Sequence, residues 1–125
     1  MSNRTSKIVG AGIAPMAAAQ IAGDLQTGVT AAGTTQAGAT PVYGDNVVVT
    51  TAAASSGVIL SGNAGFAPGD DVFLTNQGAN SLSVYPPVGG QINAGGVNAA
   101  FAVAAGKSTF FRSVGGNQFY AMAAA

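Results

Sequence analysis

The stretch "GDDVFLTNQGANSLSVYPPVGGQINAGG", residues 69–96, decides the fold class. Leu82 and Val84 alternate with Ser81, Ser83 and Tyr85, a period of two that puts successive side chains on opposite faces of a strand. "DVFLTN" before it is short, rich in β-formers and bounded by turn residues, as a strand with one buried face should be. In "APGDD", 67–71, Pro and Gly stand where a type II turn wants them, and "PPVGG", 86–90, ends its strand because two prolines cannot feed a central ladder. The stretch has no His, Cys, Glu or basic residue, which points to building material and away from chemistry.

Outward from there the same punctuation recurs. "NVVVTT" from Asn46, "GVILS" from Gly57, "AAFAVA" from Ala99, "KSTFFRS" from Lys107 and "NQFYAMA" from Asn117 read as further strands, with a weaker one at "GQINA". "NQGANS", "AAGK" and "VGGNQ" read as short Gly-bearing hairpin connections. The expectation is an all-β fold, an antiparallel sandwich or barrel of jelly-roll-like form, with Leu74, Leu82, Val84, Phe101 and Val103 inside. Residues 46–125 form that domain. Residues 1–45, low in bulky side chains, form an extended arm, with a short helix at "MAAAQIAGDLQ" or an edge strand at "GTTQAGATPVY" ended by Pro41.

Val, Ile, Leu and Phe number 28 of 125 residues, while Ala supplies 26 and Gly 19. At about 25 cal/mol per Å² of buried apolar surface, so many small side chains struggle to offset roughly 1.5 kcal/mol of ordering entropy per residue. Such a chain gains by burying surface against copies of itself or a partner. Arg4, Lys7, Lys107 and Arg112 balance Asp24, Asp45, Asp70 and Asp71, so no basic stripe exists to meet a run of phosphates and nucleic acid is not an expected partner. Nor is a membrane, since no segment approaches the ~20 apolar residues of a span. Arg4 and Lys7 before "IVGAGIAPMAAAQ" have the outline of a secretion signal, but the stretch is mostly Ala and Gly with Pro15 inside it, and the expectation is that it is not one.

The motifs that suggest chemistry each lack a required residue. "KIVGAGIAP" imitates a dinucleotide fingerprint, yet Pro15 holds the third glycine position and no acidic residue follows at the distance a ribose needs. "FAVAAGKS" ends like a phosphate loop with Phe101 where the first Gly belongs, leaving Lys107 as a solvated turn lysine. Asp70, Asp71 and Asn76 offer oxygen ligands to Ca²⁺ at a spacing that matches no loop motif. The triplet Asn3, Arg4, Thr5 matters only in a secreted eukaryotic protein. With no His, Cys or Glu, no nucleophile and base pair suggests itself, so no catalytic residue, cofactor or metal is expected. The six Phe and three Tyr read as core and interface packing more readily than as a sugar platform, Trp being absent.

"PGDDVFLTNQGANSLSVYPPVGGQINAGG" followed by "FAVAAGKSTFFRSVGGNQFYAM" resembles a class of small tailed-bacteriophage virion proteins over about residues 30–122, with "VTAAGTTQAGATP" and "GVIL" also in keeping. The resemblance implies a β-rich subunit on the outer surface of the phage capsid. Its implied role is that of a head decoration, or cement, protein that stabilises the shell by bridging neighbouring major capsid subunits. The resembled class also implies a homotrimer, and a head-fibre or tail-associated receptor-binding module is the alternative. The arm before residue 30 lies outside the resembled pattern. From its composition we expect it to clamp the shell, Arg4 and Lys7 meeting acidic groups and Ile8, Val9, Ile13 and Met16 giving apolar contacts.

Overall fold

The two runs of the quoted stretch become strands of two different sheets. In the structure, a computed structural model that describes Gly12 and residues 25–60 and 68–123, "DVFLTN" is a strand at Asp71–Asn76 and "LSVY" one at Leu82–Tyr85. In chain order the strands are β1 (Leu25–Thr30), β2 (Thr40–Val42), β3 (Asn46–Thr51), β4 (Gly57–Leu60), β5 (Asp71–Asn76), β6 (Leu82–Tyr85), β7 (Gln91–Ile92), β8 (Phe101–Val103), β9 (Ser108–Gly115) and β10 (Gln118–Ala123), with a 3₁₀ turn at Gln36–Gly38. One sheet has the order β1-β3-β5-β9-β10-β7 and the other β2-β4-β6-β8. The described residues are thus all-β, as the sequence implies.

The pairing is not the antiparallel, jelly-roll-like one expected. From β1 to β6 the chain alternates between sheets, so each strand lies parallel on the strand two before it: β1 on β3, β3 on β5, β2 on β4 and β4 on β6. Three two-strand rungs stack in register, Thr40 beside Val58 and Val58 beside Val84. A parallel pair needs a long crossover, and here the crossover is the visit to the other sheet. β8 and β9 then run antiparallel to β6 and β5, and β10 returns along β9. "NQGANS" and "AAGK", expected as hairpins, instead carry the chain from one sheet to the other, whereas "VGGNQ" does join the antiparallel neighbours β9 and β10. A Gly- and Asn-rich turn supplies the needed backbone angles in either role, so its composition does not separate the two.

One apolar cluster lies between the sheets. It takes Val47, Val49, Val72, Leu74, Phe111 and Phe119 from the first sheet and Val42, Val58, Leu60, Leu82, Val84 and Val103 from the second. Of the residues expected inside, Leu74, Leu82, Val84 and Val103 are buried, and Phe101 packs half-buried at the rim with its ring edge-on to Phe111, centroids 5.7 Å apart. Gly69, at φ +91°, supplies the conformation that the second central position of a type II turn requires.

The boundary expected at residue 46 does not divide the structure. Val29, Ala31, Ala39 and Val42 are buried, and β1 and β2 form the outermost rung of the stack. Leu25 and Gln26, expected as the end of a helix, begin β1, and the rest of that segment lies outside the described residues. "GTTQAGATPVY" does contain an edge strand, with Pro41 within it. An edge is where Pro is tolerated, and together with the register slips of β1 around Gly28 it blunts the open end of the stack against further pairing.

Asn76 holds a corner. Fully buried at the end of β5, it donates from Nδ2 to the carbonyls of Asn80 (2.9 Å) and Val103 (3.0 Å), and its Oδ1 accepts from the Gly78 N–H (2.9 Å). Asn80 in turn donates to the Ala52 carbonyl of the preceding rung at 3.0 Å. The second corner is steric. At Gly90 an added Cβ would strike the Asn117 carbonyl oxygen and lie 2.9 Å from that of Pro87, both backbone atoms that cannot swing aside. Gly90→Ala is therefore expected to lower the unfolding free energy by about 2 kcal/mol, the usual scale of overpacking, and a urea titration followed by circular dichroism reads it.

Candidate functional site

The inward residues of β5, β9 and β10 alternate with outward ones, and the outward set of the larger sheet forms rows across the strands. In Cα register, Leu25, Asn46, Phe73, Phe110 and Met122 make one row. It is the apolar one, with Leu25 60%, Phe73 42% and Met122 73% exposed. The row beside it is Asp71, Arg112 and Tyr120; the row on the other side includes Val48, Thr75 and Ser108. These hydroxyls lie 2.9 Å apart, Thr75 Oγ1 to Ser108 Oγ.

Arg112 and Asp71 form a two-pronged pair, Nε donating to Oδ1 at 2.7 Å and Nη2 to Oδ2 at 3.3 Å. The guanidinium carbon also sits 5.7 Å from the centre of the Phe110 ring, a cation over an aromatic face. The hydrogen bond to Asp71, and then its charge, raise the Arg112 pKa above its ordinary value. A raised value favours the charged form, so the contribution is fully present below the ordinary arginine pKa and lost only at extreme alkalinity. An exposed pair of this kind contributes little to stability, and its fork geometry matters more for what the face presents. Beside it, Phe110, Arg112, Tyr120, Ala121 and Met122 line a shallow hollow of about 260 Å³.

The acid on this face, Asp71, is paired with its base, Arg112, and the sequence contains no His, Cys or Glu. Among the described residues no three His, Cys, Asp or Glu side chains gather as metal ligands. Asp71 and Asn76 stand at opposite ends of β5, roughly 16 Å apart at about 3.3 Å per residue, with Asp71 turned out to Arg112 and Asn76 turned in. The oxygen set considered for Ca²⁺ is therefore not brought together, and its asparagine is a corner post.

Lys107 is exposed on the connection between β8 and β9, as a solvated turn lysine should be, although that connection changes sheets. The candidate shell-contact residues Arg4, Lys7, Ile8, Val9, Ile13 and Met16 all lie outside the described residues. The aromatics divide: Phe111 and Phe119 are core, while Phe73, Tyr43 and Tyr120 are exposed. Sequence reasoning missed the outward apolar row. Its signal is Phe73 between Val72 and Leu74, and Phe110 beside Phe111, large apolar residues that fill both phases of the alternation where one phase should be polar. No protein-family model, curated protein or solved structure matches the chain.

Proposed function

We propose that the chain is a structural protein of a tailed-bacteriophage particle, carried on the outer surface of the capsid as a decoration protein that stabilises the shell by bridging neighbouring major capsid subunits. The observation that carries this reading is an exposed apolar row, set in a sheet whose central strands are hydrogen-bonded on both sides, on a chain without His, Cys or Glu. Such a row favours a macromolecular partner, because interface centres are enriched in Phe, Tyr, Met and Arg. The resemblance over residues 30–122 supplies the particle. The subunit works without cofactor, metal, nucleic acid or membrane, as a homo-oligomer; the trimeric order rests on the resemblance alone.

The test uses shells of the phage that encodes the chain, assembled with and without it. Shells lacking it should rupture at lower temperature and recover when the full chain is added. A chain beginning at residue 25 should keep its β spectrum and lose binding, if the arm residues Arg4, Lys7, Ile8, Val9, Ile13 and Met16 clamp the shell. Shells equally stable without the chain, or the chain found only with tails, would overturn the reading. The hollow beside Tyr120 and Arg112 favours a second reading, a head-fibre or tail-associated receptor-binding module. Binding of the isolated chain to host-surface glycans, lost on Tyr120→Ala, would support that module instead.

A further inference from the structure

We infer that two copies of this chain pair through the outer face of the larger sheet, apolar row over apolar row, about a two-fold axis. The inference goes beyond the decoration reading and does not depend on which particle the chain sits on.

The first argument is charge. Among the described residues the face carries one acid and one base, Asp71 and Arg112, already paired with each other, so they offer no net charge to select a charged partner. It is self-complementary in both ways that two sheets can face each other. With the two-fold along the apolar row, the Asp71–Arg112 flank of one copy lies over the Thr75–Ser108 flank of the other, and charges meet hydroxyls. With the two-fold along the strands and between β5 and β9, Asp71 of one copy lies over Arg112 of the other. Neither arrangement sets like charges together, which is the usual cost of self-pairing.

The second argument is area. Five strands at about 4.8 Å spacing and some 20 Å in length make a face on the order of 500 Å² a copy, or about 1,000 Å² for a pair, the lower bound of specific interfaces. A weak dimer follows, with a dissociation constant on the order of micromolar or above. The third is that β3, β5 and β9 beneath the centre of the row are hydrogen-bonded on both sides within the sheet, so association there adds side-chain burial at little ordering cost. Packing of this kind is isologous and gives assemblies of even order, which departs from the homotrimer that the resemblance implies.

The absence of cysteine allows a direct test in the full chain. Met122→Cys places a thiol in the row; Val88→Cys places one on a loop at equal exposure, 73% in each native residue. With a bis-maleimide long enough to span two strands laterally as well as the ~10 Å between facing sheets, the first should yield covalent dimer at concentrations where the second stays monomeric. Sedimentation equilibrium should show reversible dimer for the parent chain, and Phe73→Glu should weaken it at least ~10-fold with an unchanged circular dichroism spectrum. A parent chain that stays monomeric at millimolar concentration overturns the inference, as does an oligomer insensitive to Phe73→Glu. So does a monomer that binds glycans through the same face. Shell binding by a chain that fails to pair would overturn the pairing and leave the decoration reading standing.

Discussion

Asn76→Ala should lower the unfolding free energy by about 3 kcal/mol, measured as a fall in the urea midpoint at unchanged slope. The side chain makes three hydrogen bonds at the corner where β5 leaves its sheet, and alanine makes none of them. The Gly78 N–H and the carbonyls of Asn80 and Val103 are left behind. A donor or acceptor stranded by removal of its partner costs ~1–3 kcal/mol when buried, and the Val103 bond is the fully buried one. Asn76→Asp sharpens the test because it keeps the size. The carboxylate can still accept from Gly78, but it meets the other two carbonyls with negative charge and no donor. Burial and those carbonyls push its pKa up, so the neutral acid is the form the fold prefers. A raised folded value means stability is greatest below the unfolded carboxyl value of ~3.9 and is lost as pH rises through the folded one. Asn76→Asp should thus gain stability on acidification toward pH 4, while Asn76→Ala should show no such recovery relative to the parent. Equal pH profiles for the two variants would remove Asn76 from its corner role.

That asparagine also marks where sequence stops being legible. In "DVFLTN" and "SLSVYP" the inward residues were readable because a period of two needs only one buried face, and Leu74, Leu82 and Val84 are buried as the pattern requires. Strand direction left no such trace. A parallel sheet usually has both faces covered and reads as a continuous apolar run, but here the outer faces are open, so the strands alternate as antiparallel ones do. Rungs joined by connections of different length also hide the repeat that would have announced a stack. β1 was hidden for another reason: in "LQTGVT" only Val29 is buried, and the slip around Gly28 breaks the alternation. Asn76 looked like a turn residue or a ligand, since a polar side chain followed by Gln and Gly is usually a surface one. Only the corner geometry turns it inward.

The candidate face was only partly readable. Phe73 and Phe110 stood in the sequence among aromatics read together as core and interface packing, with nothing in the pattern to divide the two. The register instead places them on the outer row, with Phe111 and Phe119 beneath. Large apolar groups outside a core filled mostly with Val are surface that a partner of the proposed kind would cover.

The neighbouring pair Phe110 and Phe111 separates the two faces in one experiment. Phe111 is fully buried on β9, pairs with Val72 of β5 and Ala121 of β10, and receives the Phe101 ring edge-on. Truncating it to alanine removes a large share of the buried aromatic area and leaves a cavity at the layer where parallel rungs give way to antiparallel strands. Phe→Ala in a core costs ~3–5 kcal/mol, and a domain of this size has ~5–15 kcal/mol in all. Phe111→Ala should therefore be largely unfolded at modest urea, or at physiological temperature if the parent lies at the low end of that range. Phe110→Ala, one position away, loses a half-buried ring and its contact with Arg112, an exposed cation–aromatic contact worth ~0.5–1 kcal/mol. It should stay folded within about 1 kcal/mol of the parent and associate less. Thermal melts and sedimentation of the two variants side by side give opposite signatures, one losing its fold and the other its partner. If Phe110→Ala were the more destabilised of the two, the register of β9 would be displaced by one residue, and every inward and outward assignment on that strand would exchange.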